Sequence, residues 1–173
     1  QVFDSPTDTA KPIDKIDREQ IMELIDNAKC FLRSQGVDQW QNGYPDKDCL
    51  EKDIEKEIGY LCMLDGRPAG YVCIDFNGEP AYNTLGSSWL SSQPYVVLHR
   101  LALSPSFRGR GLAASVFQAA EKMARSKDVH SFKVDTDSQN LIMRHILEKQ
   151  GFVYCGTICF DNSEKIAFEK LLL

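Results

Sequence analysis

Arg108-Gly109-Arg110-Gly111-Leu112-Ala113 stands directly after the apolar run 95–103 and directly before a stretch of helical periodicity. Two glycines at a strand-to-helix junction let backbone N–H groups approach a ligand that side chains would hold off. The first turn of the helix adds unpaired N–H donors and the positive end of a dipole, which together suit a pyrophosphate. Two arginines in the same segment fit that anion, because guanidinium matches phosphate oxygens in a bidentate way. A dinucleotide fingerprint needs Gly-x-Gly-x-x-Gly, whereas the run beginning at Gly109 has Ala114 in the last place. A Walker loop needs Gly-Lys-Ser/Thr, which is absent. Taken alone, the hexapeptide also fits a plain glycine turn capping a helix.

A second segment narrows the choice. Asn140-Leu141-Ile142-Met143 leads, through Leu147, to Gly151-Phe152, after the strand-like run 131–135. Arg108-x-x-Gly111-x-Ala113 resembles the acetyl-CoA-binding motif of the GNAT family of N-acetyltransferases, Gln/Arg-x-x-Gly-x-Gly/Ala. The downstream segment is similar to that family's second signature, Asn-x-x-Ala-x-x-x-Tyr-x-x-x-Gly-Phe, in order and spacing. Upstream, the segment from Gly36 through Trp40 and Tyr44 to Pro45 looks like the one that follows the first helix in some bacterial members. The resemblance runs from about residue 16 to 171. It implies an α/β fold of the acyl-CoA N-acyltransferase kind. Its central mixed sheet would splay between the fourth and fifth strands, with helices on both faces.

The bulk properties agree with one globular domain over residues 1–173, of which 1–15 are poorly defined. The length allows a sizeable core, and 43% apolar with 26% charged residues is ordinary for such a chain. No apolar run approaches the roughly 20 residues that span a bilayer, and no signal-peptide pattern is present, so no membrane partner is expected. Six cysteines at 30, 49, 62, 73, 155 and 159 form no Cys-x-x-Cys pair, and 155 and 159 would share a strand. Reduced thiols in a cytoplasmic protein are the expectation. Three histidines far from any cysteine cluster predict no metal site. A net charge of −5 without a basic stripe disfavours nucleic acid and leans toward cationic small substrates.

Along the chain, Asp17-Arg18-Glu19-Gln20 reads as a capping box with Ile16 stapled onto Ile21, and Gly36 as the stop of that first helix. A strand ahead of it is best placed at 10–13. Asp48 starts a second helix ending near Glu57. The runs 60–64 and 69–76, joined by Asp65-Gly66-Arg67-Pro68, predict a hairpin. Residues 77–94 form a long loop, of a length more often functional or mobile than passive. The strand 95–103 is central, followed by a helix over 111–126 with Leu112, Val116, Ala120, Met123 and Ala124 inward and Glu121, Lys122 and Arg125 outward. A strand at 132–135, a helix at 141–150 and strands at 152–160 and 165–170 complete a mixed α/β order, the last two joined at Asp161-Asn162-Ser163.

By resemblance, Leu101, Ala102 and Leu103 supply backbone contacts to the pantetheine arm, with an N–H near Leu101 polarising the acetyl carbonyl. Arg108, Gly109, Arg110, Gly111, Leu112 and Ala113 hold the pyrophosphate, and Asn140 contacts the cofactor. His99 is the candidate general base, since an imidazole with an ordinary pKa near 6.5 can take a proton from an attacking amine. Strand alternation would place it with Val97 and Leu101, opposite Arg100. The family's acid, a tyrosine seven residues after the asparagine, is Leu147 here. Tyr154 is the nearest other candidate, and a thiolate can also leave unassisted because thiol pKa values lie near 8.5. Trp40, Tyr44, Tyr82 and Trp89 are candidate substrate contacts, and Asp135 and Asp137, beyond a strand end, could neutralise a cationic acceptor. The reading is an acetyl-CoA-dependent N-acetyltransferase, monomer or homodimer, acting on a primary amine of a small molecule or peptide. The alternative is a non-catalytic acyl-CoA-binding regulatory module.

Overall fold

A computed structural model describes residues 2–5, 15–41, 43–107, 111–160 and 163–173. Strands β1 (Val2–Ser5), β2 (Gly59–Leu64), β3 (Arg67–Asp75), β4 (Val96–Leu103), β5 (Ser131–Asp137), β6 (Val153–Phe160) and β7 (Ser163–Leu171) are hydrogen-bonded in the order β1-β2-β3-β4-β5-β7-β6. Four helices accompany them: α1 (Lys15–Ser34), α2 (Lys47–Glu55), α3 (Leu112–Ser126) and α4 (Leu141–Lys149). The sheet is mixed, as expected: β1–β2 and β4–β5 pair in parallel, and β2–β3, β5–β7 and β6–β7 are antiparallel. Two compact units divide the chain, Gln1–Ile74 with His99–Leu112, and Asp75–Leu98 with Ala113–Leu173.

In the first unit, Ile21, Leu24 and Ile25 share one face of α1, and Leu50 and Ile54 one face of α2. They bury against Leu61, Tyr71 and Ala102. Asp46 caps α2, accepting from the Cys49 N–H at 2.9 Å. The β2–β3 hairpin turns at Asp65 and Gly66, with φ of 53° and 73°, and Leu64 pairs with Arg67 across a two-residue connection. The strand expected at 10–13 lies outside the described residues, and Val2–Ser5 forms a strand ahead of it. One expectation fails here. Helix α1 begins at Lys15, so Asp17 sits inside its first turn rather than capping it.

The second unit has one core built on Tyr82, Trp89, Val97, Ile158 and Ala167, and another on the rings of Phe117, Phe132 and Phe152. The expected β5, β6 and β7 are present, and β5 extends through Asp137. Asp135 and Asp137 therefore lie within the strand and not beyond it. The outward placement of Glu121 is also overturned. It is buried on α3 and ion-paired with Lys170 of β7, which makes burial tolerable. All four helices end in the same way: a residue with positive φ follows the last turn and the next N–H reaches back five residues. Val37, Ile58, Val129 and Phe152 bond the carbonyls of Leu32, Asp53, Ala124 and Leu147 at 2.8–3.0 Å.

Candidate active site

Half-way along β4 the extended backbone is broken once. Arg100 adopts φ 53°, between His99 and Leu101. A residue with a Cβ pays about 1–2 kcal/mol for the left-handed region, so something must hold it there. The guanidinium shows what does. Its Nε donates to Asp53 Oδ2 at 2.8 Å, Nη2 donates to Asp53 Oδ1, and Nη1 donates to Tyr44 Oη at 2.8 Å. Asp53 projects from α2 into the core and is buried. Its Oδ2 also accepts from the fully buried Tyr71 Oη of β3 at 2.8 Å. A planar fork on a carboxylate, with a further hydroxyl on the same oxygen, satisfies charges that would otherwise be costly to bury.

The electrostatics follow the same logic. Burial opposes the Arg100 charge, yet its bonds to Asp53 and the surrounding Cys73, Tyr44 and Asp53 together outweigh this and raise its pKa above the ordinary arginine value. Burial, and then the neighbouring Asp53 charge, push the Tyr71 hydroxyl well above its usual range. Burial also raises Tyr44, with Arg100 working the other way. Near neutral pH this cluster is a fixed ion pair braced by two neutral phenols, and it moves no protons.

The kink also interrupts the pleat, so the expected alternation of Val97, His99 and Leu101 on one face does not run through residue 100. His99, Arg100 and Leu101 are all half-buried, while Ala102 is fully buried in the α1–α2 core. Past the kink, the strand is held to β3 by the Ser104 N–H on the Ala69 carbonyl at 2.8 Å. Trp40, at φ 66°, packs partly buried against the core that contains Ala102, and Tyr44 is 38% exposed with its hydroxyl on Arg100. Of the glycine loop, Arg108, Gly109 and Arg110 lie outside the described residues. Gly111 has φ 73°, and a Cβ added there would meet nothing within 4 Å. Leu112 and Ala113, both half-buried, form the first turn of α3.

The remaining candidates fall in the second unit. Asn140 caps α4, its Oδ1 accepting from the Met143 N–H at 3.1 Å. Leu147, in the place of the family tyrosine, is the fully buried residue of α4. Tyr154 lies on the edge strand β6, 53% exposed, its hydroxyl shared with Thr157 Oγ1 at 3.1 Å. Tyr82 and Trp89 are buried, their ring centroids 5.2 Å apart, with the Trp89 indole N–H on the Tyr82 carbonyl at 2.8 Å. Tyr82 Oη donates to Asp135 Oδ2 at 2.7 Å.

Those rings pin residues 77–94 to the sheet, with a short helical segment Pro80–Ser88 kinked at Gly86. Buried Glu169 of β7 accepts from the Leu90 N–H at 2.8 Å, the Ser91 N–H at 3.3 Å, Ser91 Oγ at 2.6 Å and Ser131 Oγ at 2.7 Å. Lys133 Nζ donates to the Ser91 carbonyl at 3.3 Å and lies 4.4 Å and 4.3 Å from the ring centres of Trp89 and Tyr95. This long loop is bolted down.

Sequence reasoning did not single out Asp53, Tyr71 or Glu169. For Asp53 a signal existed: it stands three residues after Leu50 and one before Ile54, on the inward face of α2, where an unpaired charge has no place.

The sequence profile of the acetyltransferase (GNAT) family matches residues 22–152. The chain is 26% identical over 156 residues to the uncharacterized N-acetyltransferase YesJ of Bacillus subtilis (strain 168), covering 89% of this chain and 84% of that one. It resembles the crystal structure of a GNAT-family acetyltransferase from Streptococcus agalactiae 2603 at 32% identity and a TM-score of 0.84, over 94% of both chains. A second GNAT-family structure, from Listeria monocytogenes 4b F2365, shares the fold at 23% identity and a TM-score of 0.72, over 94% of this chain and 92% of that one.

Proposed function

Since the chain belongs to the acetyltransferase (GNAT) family of acetyl-CoA-dependent N-acetyltransferases, we propose that it acetylates a primary amine of a small molecule or peptide by direct attack in a ternary complex. The observation that carries the cofactor half is Gly111. Its left-handed backbone leads into α3, and among the described residues no atom beyond its chain neighbours lies within 4 Å of the place a Cβ would take. An anion can therefore reach the first-turn N–H groups of the helix. Arg108, Gly109, Arg110, Leu112 and Ala113 extend that cradle in the proposal, and Leu101, Ala102 and Leu103 pair with the pantetheine arm. Asn140 holds the cofactor from the start of α4. No helix of the described residues is long and apolar enough to cross a membrane.

Acetyl-CoA supplies an acetyl group activated as its thioester. The Leu101 N–H polarises the thioester carbonyl and stabilises the oxyanion that forms there. His99, beside it on β4, takes the proton from the amine, directly or through water, as the C–N bond forms. The C–S bond then breaks and sulfur leaves as the thiolate, which needs no acid when its conjugate thiol has a pKa near 8.5. Buried Leu147 offers no proton, and this is the one feature that favours a non-catalytic module. A thiolate leaving group removes the need for that proton. Tyr154 remains the alternative donor. Trp40 and Tyr44 are the acceptor contacts in this reading, and Tyr82 and Trp89, both buried, support it only through packing.

Calorimetry with acetyl-CoA and a pH–rate profile of His99→Ala test this together. The proposal expects micromolar or tighter binding, retained in the variant. It also expects a lower kcat and the loss of an ionisation near neutral pH. Absence of binding at high micromolar acetyl-CoA sinks the cofactor assignment, and an unchanged profile removes His99 as the base.

A further inference from the structure

We infer that Asp53, together with Tyr71, positions the reacting backbone of β4 by locking Arg100 in its left-handed conformation. The inference rests on the assignment of the Leu101 N–H to the acetyl carbonyl. Nothing intrinsic to arginine favours φ 53°, and without support the residue would occupy that region about 5- to 30-fold less than an extended one. The support is built from outside the strand. Asp53 is fixed on α2, buried, and grips Nε and Nη2 together, so both the position and the plane of the guanidinium are set. Tyr71 Oη holds the carboxylate from β3, and Tyr44 Oη takes the third guanidinium edge from the segment after α1.

Such a pair is a weak device for stability, because desolvation consumes most of its attraction. It is a strong device for geometry. A left-handed residue re-aims the following peptide, as a bulge does, and that peptide carries the Leu101 N–H. Asp53 and Arg100 are thus positioning residues. They touch neither acetyl group nor amine, and they set the direction of the donor that does. An error of about 1 Å in such a donor is worth up to about 100-fold in rate.

Replacing the side chain and replacing the backbone preference are separable. Glycine adopts positive φ about as readily as negative, whereas alanine does not. Asp53→Asn removes the fork's counter-charge and keeps an acceptor for Tyr71. It should let residue 100 relax to extended φ and lower kcat 10- to 100-fold, with the acetyl-CoA Kd changed less than threefold. The double variant D53N/R100G has no ion pair, yet it permits the kink, and should regain the left-handed backbone and most of kcat. D53N/R100A should regain neither. Crystal structures of the three variants read φ at residue 100, and initial rates read kcat and KM.

A residue 100 that stays left-handed in D53N overturns the lock. So do equal kcat values for the glycine and alanine doubles. If D53N alone fails to fold, the two doubles decide, since they differ only by one Cβ. A wild type that binds acetyl-CoA but acetylates no amine defeats the acetyltransferase reading, while φ at residue 100 in the variants still decides whether the lock exists.

Discussion

Gly59→Ala tests the bracing of Asp53 from its far side. A Cβ at residue 59 would lie 2.5 Å from Tyr71 Oη, and 3.3 Å from both Tyr71 Cε1 and Asp53 Cβ. The backbone at Gly59 is not left-handed, so alanine suits it. By itself the change should gain about 0.4–1 kcal/mol by stiffening the unfolded chain. Tyr71 is fully buried and cannot swing away. Its hydroxyl must therefore give up a bond to a carboxylate, worth about 1.5–3 kcal/mol, and overpacking costs about 1–3 kcal/mol more. The net expectation is a loss of about 2–5 kcal/mol. In a Tyr71→Phe background the oxygen at 2.5 Å is gone, and G59A should cost less than about 1 kcal/mol. Urea unfolding of the four proteins at constant m-value measures this. Equal costs of G59A in both backgrounds, within about 0.5 kcal/mol, would refute the claim that Cβ and hydroxyl compete for one place.

Three further outcomes are expected. Glu169→Gln leaves the shape of the buried network around residues 89–91 but removes the charge its four donors converge on. It should destabilise the protein by about 3 kcal/mol and expose the Leu90 and Ser91 amides to hydrogen exchange, whereas protection at the wild-type level would show the loop is held by packing alone. Burial lowers the pKa of Lys133, so in the window below the ordinary lysine value of about 10.4 the unfolded chain binds more protons than the folded one. Wild-type stability relative to Lys133→Met should therefore rise with pH through that window and level off above it, and a difference that falls or stays flat contradicts the sign. Arg108→Ala should raise the KM for acetyl-CoA about 10-fold or more with kcat nearly unchanged. A loss confined to kcat would argue against a phosphate contact.

The fold was legible because its signals were local. The Asp65-Gly66 turn, the α1 and α3 periodicities and the stop at Gly36 each follow from residue chemistry within a few positions. Helix ends at Glu57 and Asp128 use the same geometry, with φ of 59° and 57°, on residues that carry no such signal. They were readable only to within a turn. The early strand Val2–Ser5 was missed because it pairs with β2, more than fifty residues away, and no local pattern announces that partner.

The site divides in the same way. Gly111 and the first turn of α3 were visible as a motif. The left-handed Arg100 was not, since it arises from a contact 47 residues distant in sequence. Glu121 read as surface because its period on α3 is ambiguous and its partner, Lys170, lies on β7. Tyr82 and Trp89 stood out as aromatics in a long loop, and their burial depends on Glu169 and Lys133, which no spacing connects to them.

The proposed reaction transfers acetyl from acetyl-CoA to an amine nitrogen. Purified protein incubated with acetyl-CoA and separate pools of polyamines, amino acids, aminoglycosides and peptide amino termini tests it, by mass spectrometry of the amine and titration of released thiol. An N-acetylated product is expected in at least one pool, with one thiol released per acetyl transferred and no thiol release without acceptor. Bound acetyl-CoA with every amine unmodified, or thiol released at the same rate with and without acceptor, would contradict it.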